Sequence, residues 1–555
     1  MSDTTQTGPV LAADGTPLKR SLRRALRAQK MRALALIAPL LIFVLVAFIA
    51  PIADMLFRSV ENQIVGNTLP MTVEELRDWD GADAPDEQVF RALFFDLFLA
   101  AEAKEHTKLG SRLNYEQSGI SSLFRTTGRD VDKIGEVFQD ALTEIAPAFD
   151  EARFWYDMMS GGAGAEGNAR LLSNQIGRLE QLESTNFSGD VDFVPGTAIS
   201  DILPNTARAY AAFAAFTYFV EEDVVAEEEP WEAVYAALVI DLEDPATRTA
   251  LAGYDGPGAD VLRRTADAPL PPVDMKAAFI ESNKDWQRVG FWEVIKTYSP
   301  PYTTGYFLNA VDMEKTTEGI ALRSADQRIY GILFKRTMFM SLMITISCIL
   351  LGYPVAWIMA NLPARKANLL MILVLLPFWT SLLVRTSAWK VMLQQQGVIN
   401  DTLVWLGLVA DGNRLIMINN QFGTIVAMTH ILLPFMILPM YSVMQTIPPT
   451  YLRAAKSLGA TNWTAFWRVY FPQSVPGIGA GSILVFILAI GYYITPEIVG
   501  GTTGTFLSNR IAYHISTSLN WGLAAALGSI LLAVVLILYW AYDKIVGIDN
   551  VKLGG

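Results

Sequence analysis

Long apolar runs occupy two parts of the chain, and a region in which apolar and charged residues mix lies between them. The first run covers residues 33–52. Five further runs cover residues 337–359, 369–389, 422–444, 475–494 and 521–542. About 20 apolar residues are enough for a helix to cross the hydrocarbon core of a membrane. The pattern therefore predicts six transmembrane helices.

Residues 56–330, between the first run and the second, show a different pattern. Apolar residues recur there at helical spacing among carboxylates, in residues 86–105, 131–145, 210–220 and 231–242. This spacing is typical of amphipathic helices that bury one face in a soluble core. Few segments alternate with the period of two that strands show. We therefore predict an all-α soluble domain, with a loop or hinge at the glycine-rich residues 161–167.

Basic residues predict which side of the membrane each connection occupies. Those before the first run are Lys19, Arg20, Arg23, Arg24, Arg27, Lys30 and Arg32. Others follow every second run, at Arg365 and Lys366, in the loop at 451–478, and at Lys544 and Lys552. Short basic connections remain cytoplasmic, so both termini are predicted inside and residues 56–330 outside. A cleaved signal peptide is the alternative for the first run, but that run is long and residues 51–54 make a poor cleavage site.

The charge distribution separates the same regions. Residues 56–330 hold 23 basic and 47 acidic residues, a net of −24, whereas the rest of the chain has a net of +12. An acidic soluble part joined to a basic membrane part gives no support to nucleic-acid binding. The predicted regions are a basic cytoplasmic tail at 1–32, a first transmembrane helix at 33–55, an acidic helical insertion at 56–330, a five-helix core at 331–545, and a cytoplasmic tail at 546–555.

Few residues offer covalent or metal chemistry. Cys348 is the only cysteine and lies in an apolar run, so neither a disulfide nor a thiolate metal site can form within the chain. His106, His430 and His514 are far apart in sequence, and a core or interfacial position is the expected role of each. The phosphate-binding motif GxxxxGK[ST] does not occur, so any ATP-driven work must come from a partner.

The loop between the fourth and fifth runs carries the most specific motif. Residues 452–458 favour a helix, Gly459 suits a left-handed cap, Asn462 is a possible cap for a second short helix, and Pro472 suits the first turn of the next span. The spacing of Ala454, Ala455, Gly459, Val469, Phe471 and Pro472 resembles the EAA loop of ABC importer permeases. Arg453 stands where that family has a glutamate, which leaves the charge pairing of the loop open. An ordinary cytoplasmic loop is the alternative.

This resemblance implies an all-α membrane protein with the six-helix, MetI-like fold of ABC importer permeases and a large helical extracytoplasmic insertion after the first helix. In that family the loop at 451–472 is the coupling helix that docks on an ATPase subunit. The expected partners are ABC ATPase subunits, a second permease subunit, a periplasmic substrate-binding protein and membrane lipid. ATP and magnesium would be used by the ATPase partner, with no cofactor bound by this chain. The expected location is the bacterial inner membrane.

Polar residues within the apolar runs are the candidates for a translocation path, because a charge at mid-bilayer costs about 3 kcal/mol on insertion scales. Arg385 is one, with snorkelling to the outer interface as its alternative. Glu497 is another, where Pro496 is expected to end a helix and Gly500 and Gly501 to allow irregular backbone. A solvated loop glutamate is its alternative. Candidates beside them, with a ring face for a cation or at the interface, are Tyr492, Tyr493 and Trp379.

The residue sequences of the membrane segments narrow the resemblance to permeases of the polyamine (spermidine/putrescine) type. It is carried by GYPVAWIMANLP at 352–363, LPFWTSLLVRTSAW at 376–389, GVIN at 397–400, LPFMILPMY at 433–441, and residues 491–501. An opine, an amino-acid-like compound or a metal ion remains an alternative substrate. A secondary transporter or a membrane sensor is an alternative class, although few mid-membrane charges and no cytoplasmic signalling module are present. The insertion is expected to be a structural elaboration rather than a catalytic domain, and its charge would concentrate cations outside.

Overall fold

The computed structural model describes residues 18–162, 164–316 and 319–546. Two units are described separately below. The insert is Glu61–Ile332, and the membrane unit comprises the described residues before and after it. The polar start of the predicted N-terminal tail, residues 1–17, and nearly all of the predicted C-terminal tail, residues 547–555, lie outside the described residues.

The insert is built from short and medium helices. Its α-helices are Ile64–Thr68, Pro70–Glu75, Glu87–Glu102, His106–Leu113, Ile120–Ile145, Ala152–Ser160, Ala169–Glu183, Thr197–Ile202, Pro204–Phe216, Glu232–Glu243, Pro245–Ala252, Ala259–Asp267, Met275–Ser282, Val289–Thr297 and Gly305–Ala310. Single turns of other helix types are Pro147–Asp150, Thr217–Glu221 and Lys284–Gln287. Each of the four segments with helical periodicity falls largely on one of these helices, as predicted, and the segment at 210–220 continues into the turn Thr217–Glu221.

One core holds the insert together. The helices Glu87–Glu102, Ile120–Ile145 and Glu232–Glu243 pack on one another and bury an aromatic cluster. Trp286 lies at its centre, with its ring 5.6 Å from Phe124 and its Nε1 donating to Thr127 Oγ1 at 2.9 Å. A buried indole needs such a partner, so this hydrogen bond offsets the cost of burying the indole N–H.

The insert also contains a feature that the helical periodicity missed. Strands Met313–Thr316 and Gly319–Leu322 pair in antiparallel register, with Met313 opposite Leu322. Each strand is four residues long, which is too short for an alternating pattern to stand out from a single sequence. The predicted loop at 161–167 is present, with positive φ at Gly161, Gly162 and Gly164; residue 163 lies outside the described residues.

The membrane unit is helical in its described part. Its α-helices are Leu18–Val44, Ala50–Arg58, Tyr330–Asn361, Ala364–Leu375, Leu382–Met392, Val398–Trp405, Gln421–Gln445, Pro449–Ser457, Asn462–Ala465, Phe471–Gly491, Ile494–Val499, Leu507–Ser516 and Trp521–Val546. The π turns Leu45–Ile49 and Phe466–Tyr470 and the 3₁₀ turns Leu376–Trp379 and Asp411–Asn413 connect or flank them.

Five stretches are long and apolar enough to cross a membrane: Gln29–Arg58, Tyr330–Asn361, Gln421–Gln445, Asn462–Gly491 and Trp521–Tyr542. The sixth predicted span, at 369–389, is not one helix. It consists of Ala364–Trp379 and Leu382–Met392, bent by 92°. Thr380 and Ser381 have extended backbone with ψ near 140°, which breaks the helix between the two halves. Counted as one bent span, the pair makes six.

The helices Gln421–Gln445 and Phe471–Gly491 pack extensively on each other in this unit. Glycines on the second helix allow the approach: a Cβ on Gly481 would lie 2.7 Å from Met436 Sδ, and one on Gly477 would lie 3.1 Å from Met440 Cα. Small residues at such crossings let backbones come together where lipid tails remove the hydrophobic driving force.

Candidate coupling loop and translocation path

The predicted coupling loop begins with the helix Pro449–Ser457, which carries Arg453, Ala454 and Ala455. Gly459 follows with φ of +90°, the left-handed conformation predicted for it. The turn is closed by backbone hydrogen bonds, including Ala460 N–H to Ala455 O at 3.1 Å. Nothing lies within 4 Å of a Cβ built on Gly459, so its backbone conformation, and not lack of space, makes glycine the favoured residue.

The second half of the loop differs from the prediction. Thr461, not Asn462, caps the next helix, and its Oγ1 accepts from Thr464 N–H at 3.2 Å. The helix is also not a separate short element, because helical structure continues from Asn462 to Gly491. A short helix and a turn are therefore joined directly to a candidate membrane span.

A π turn makes this continuity compatible with Pro472. Phe471 donates its N–H to Phe466 O, five residues back, which closes the π turn Phe466–Tyr470. Proline has no N–H and its ring collides with the carbonyl four residues earlier, so a regular helix would be strained there. The wider turn relieves that collision, and Pro472 occupies the first turn of the Phe471–Gly491 helix as predicted.

The loop presents a basic and aromatic surface. Arg453, Lys456 and Arg468 are exposed, and none forms an ion pair with another described residue. Leu458 is 89% exposed and Trp463 is 70% exposed. Large apolar side chains rimmed by charges on a surface are typical of protein interaction sites.

The opposite side of the loop is anchored to the helix Tyr330–Asn361. The ring of Tyr353 lies 6.2 Å from Phe466 and 5.9 Å from Phe471, and its hydroxyl is 3.0 Å from Ser474 Oγ. Val469 lies in the π turn, which packs against the Pro449–Ser457 helix. The predicted coupling residues are thus brought together on two connected elements.

The second candidate region surrounds two helix breaks. The helix Phe471–Gly491 ends at Gly491, and Ile494–Val499 begins after two intervening residues. Pro496 therefore lies inside the next helix, and the prediction that it ends a helix was wrong. Thr495 Oγ1 lies 3.1 Å from Thr386 Oγ1, in the second half of the bent span. This hydrogen bond joins the two interrupted segments.

Arg385 lies next to that junction. Its Nε and Nη1 are buried without a hydrogen-bond partner among the described residues. It is close enough to Tyr492 and His430 to act on both electrostatically. Burying two unsatisfied guanidinium donors costs free energy, and a side chain that snorkelled to the interface would avoid that cost. Trp379 is 73% exposed at the end of the first half of the bent span, with no described contact to the other path candidates.

Residues of the neighbouring helix Leu507–Ser516 form hydrogen bonds to Glu497 and to the backbone before it. Asn509 Nδ2 donates to Glu497 Oε2 at 2.5 Å and to Tyr493 O at 2.9 Å, and Ser508 Oγ donates to Tyr492 O at 2.6 Å. These bonds satisfy carbonyls that the helix break frees. Glu497 itself remains exposed.

The irregular backbone predicted after Glu497 is present. Gly501 has φ of +54°, and a Cβ on Gly500 would lie 2.5 Å from both Gly504 O and Pro496 O. Sequence reasoning missed Thr386, Thr495, Ser508 and Asn509. These residues could have been found as polar side chains on both sides of the predicted helix breaks, because backbone groups freed at a break require hydrogen-bond partners.

Comparison with known proteins now assigns the family. Residues 334–546 match the binding-protein-dependent transport system inner membrane component. The spermidine/putrescine transport system permease protein PotB of Salmonella typhimurium is 33% identical over 220 residues, covering 39% of this chain and 76% of PotB. The chain belongs to the family of binding-protein-dependent transport system inner membrane components. The permease is also 34% identical over 224 residues to the inner membrane ABC transporter permease protein YdcU of Escherichia coli, covering 38% of this chain and 70% of YdcU.

The permease is therefore a multi-pass membrane subunit of an ABC importer, similar to permeases of the polyamine type, and the predicted fold is confirmed. A solved bacterial alginate ABC transporter, in complex with an alginate pentasaccharide-bound periplasmic protein, aligns over 41% of this chain and 81% of its own with 20% identity and a TM-score of 0.34. The insert lies outside the residues that match the family.

The histidines of the permease have structural contacts. His106 Nδ1 lies 3.3 Å from Ala100 O, His430 Nδ1 accepts from Trp389 Nε1 at 3.1 Å, and His514 Nδ1 lies 2.8 Å from Ser518 Oγ. Within the described residues, no three His, Cys, Asp or Glu side chains come together in a group that would hold a metal ion.

Proposed function

We propose that this permease imports polyamines, spermidine or putrescine, handed to it by a periplasmic binding protein and driven by partner ATPases. The observation that supports the polyamine substrate is the 33% identity to PotB, a spermidine/putrescine permease. The chain would lie in the bacterial inner membrane with both termini cytoplasmic, paired with a second permease subunit. ATP and magnesium would be bound by the ATPases.

The geometry of the 451–472 loop supports a coupling step. Its exposed Leu458 and Trp463 form the contact with the ATPase, and Arg453, in the place of the family's glutamate, pairs with an acidic partner residue. Since helical structure runs unbroken from Asn462 to Gly491, a displacement of the loop moves the span. That span packs on Gln421–Gln445, so the displacement reaches the helix bundle.

The path uses the junction of the two interrupted segments. Glu497 supplies a negative charge and Tyr492 and Tyr493 supply ring faces, a combination that attracts a cation. Arg385 adds an unpaired positive charge near Tyr492. A polyamine crossing there is attracted by Glu497 and repelled by Arg385, which keeps binding weak enough for release.

Gly459→Val tests the coupling assignment. Valine at φ of +90° is strained, so the turn distorts, and co-purification with the ATPase and solute-stimulated ATP hydrolysis should both be lost. Gly412→Val is the matched control, because a Cβ there also meets nothing within 4 Å and φ is not positive. Normal ATPase binding by Gly459→Val would refute the coupling role.

Uptake of radiolabelled spermidine into cells tests the substrate. Glu497→Gln should lower uptake while leaving the amount of assembled complex unchanged, because it removes the charge and keeps the shape. Uptake that is absent from the wild type, with the complex assembled, would refute the polyamine assignment.

Arg385 favours a second candidate substrate class, an amine that also carries a carboxylate, such as an opine or amino-acid-like compound. Its unsatisfied Nε and Nη1 would donate to that carboxylate. Competition decides between the two: arginine-derived opines that displace spermidine in the wild type, but not in Arg385→Gln, would support the second class.

A further inference from the structure

A cleft in the insert collects positive charge in an otherwise acidic unit. It lies between the helices Glu87–Glu102, Ala169–Glu183 and Pro204–Phe216, and its empty volume is about 410 Å³, part of it open to solvent. The walls contribute apolar and aromatic surface from Phe95, Phe98, Leu99, Ala209, Ala212 and Trp231.

Two arginines converge there. Arg178 Nη1 and Arg208 Nη1 each lie 3.9 Å from the same atom, Met71 Sδ. Arg178 Nη2 also forms an ion pair with Asp96 Oδ1 at 2.7 Å, whereas Arg208 has no ion pair with any described residue. Both burial and the charge of Arg208 lower the pKa of Arg178, in opposition to Asp96.

Asp96 does not balance both cations. Its other oxygen accepts from Thr72 N–H and Thr72 Oγ1, each at 2.7 Å, so the carboxylate is already fully engaged. One positive charge is therefore left in excess at the cleft, on Arg208, whose side chain is only partly buried.

Unsatisfied polar atoms line the same cleft. Arg178 Nε is buried without a hydrogen-bond partner among the described residues, and so is Gln175 Oε1, whose residue is only 8% exposed. Buried donors and acceptors in folded proteins are normally satisfied, and each exception requires an explanation.

We propose that this cleft binds the carboxylate group of a small organic acid. A carboxylate accepts charge-assisted hydrogen bonds from the guanidinium groups of Arg208 and Arg178 together. The aromatic and alanine walls favour a short apolar tail over a purely inorganic anion. The head group lies at the two arginines, with the tail directed along the apolar wall.

Binding is measured by equilibrium dialysis of the purified full-length permease in lipid nanodiscs against radiolabelled propionate. Ionic strength is held constant by replacing propionate with chloride. One saturable site per chain is expected, and Arg208→Gln should weaken it by about tenfold or more, since one charge-assisted hydrogen bond contributes about that factor. Arg125→Gln is the matched control, an exposed arginine whose contact is with Ser121.

Chemical modification tests the unmutated protein and so does not depend on variants that fold. Propionate should slow the reaction of phenylglyoxal with Arg208, read by peptide mass spectrometry, and leave Arg125 unaffected. Absence of saturable propionate binding, unchanged binding in Arg208→Gln, or equal protection by chloride at the same concentration would each overturn the proposal.

Discussion

The insert and the membrane unit treat their large apolar side chains in opposite ways. In the insert, Trp155, Trp286 and Trp292 have no exposed surface, whereas in the membrane unit Trp405 and Leu36 are each 83% exposed. Burial from water stabilises the first unit by about 25 cal/mol for each Å² of apolar area. The second unit gains nothing from such burial if lipid surrounds it, so its cohesion depends on close packing and a few hydrogen bonds.

Two charged residues, one in each unit, show two ways of holding a charge inside the protein. Asp241 in the insert accepts from Thr206 N–H at 2.8 Å, from Thr206 Oγ1 at 2.7 Å and from Asn205 Nδ2 at 2.9 Å, which caps the helix Pro204–Phe216. Arg385 in the membrane unit leaves two buried donors unsatisfied. Satisfied charges fix one conformation, while an unsatisfied one remains available for a passing solute or for a rearrangement.

The largest expected effect is in the aromatic core of the insert. Trp286→Ala removes a fully buried indole and its hydrogen bond to Thr127, so it should destabilise the insert by about 3–5 kcal/mol. Limited proteolysis of the insert during thermal denaturation measures this loss. Trp405→Ala is the control, an exposed tryptophan of the membrane unit whose removal should leave the midpoint unchanged. Equal effects of the two would contradict the contrast in burial.

Next in size is the glycine crossing of the membrane unit. Gly481→Val places a side chain where a Cβ alone would lie 2.7 Å from Met436 Sδ, so it should destabilise the unit by about 1–3 kcal/mol through overpacking. Gly491→Val controls for helix propensity, since nothing lies within 4 Å of a Cβ there. Scanning calorimetry in detergent should show a lower midpoint for the first variant alone.

The membrane helices could be predicted from long apolar runs, and the helices of the insert from apolar residues that recur at helical spacing. The left-handed Gly459 could also be predicted, since a glycine at the end of a helical stretch has a local cause. The prediction failed where one helical segment connects to the next. The segment at 462–491 is one helix because a π turn accommodates Pro472, and composition alone does not distinguish a π turn from a helix end.

The site was predicted less completely than the fold, for a related reason. Glu497 and Arg385 stood out as charges in apolar runs, but their environment depends on contacts between segments far apart in sequence. Thr386 meets Thr495 across 109 residues, and Asn509 meets Glu497 from the next helix. Such pairings arise from tertiary packing, which a single sequence does not specify.

A smaller effect is expected at the hydrogen bond between the interrupted segments. Thr386→Val removes the 3.1 Å contact with Thr495 and keeps the side-chain shape. Hydrogen bonds between membrane helices average about 0.6 kcal/mol in double-mutant cycles, so stability should fall by that order. Thr402→Val is the control, because among the described residues the Thr402 hydroxyl bonds only to Val398 O of its own helix. Adding Thr495→Val should cost little more once Thr386 is changed; additive losses would show that the two hydroxyls act separately.

The smallest expected effect concerns the acidic surface of the insert and depends on pH. Burial, then the carboxylates of Glu221, Glu232 and Asp132, raise the pKa of Glu102 above its ordinary value of 4.5. Glu102 is also the last residue of the helix Glu87–Glu102, where a negative charge opposes the helix dipole. Glu102→Gln should therefore stabilise the insert near pH 7, within about 0.5 kcal/mol.

The sign of the pH dependence distinguishes charge from packing in this last case. A carboxyl with a raised folded-state pKa binds its proton more tightly in the folded state, so the wild type gains stability as the pH falls. The advantage of Glu102→Gln should shrink as the pH falls through the folded-state pKa and disappear below 4.5. Denaturant unfolding of both proteins at several pH values measures it, with the exposed Glu281→Gln as control. An advantage that persists at low pH would arise from packing, and the repulsion between carboxylates would then not destabilise this acidic unit.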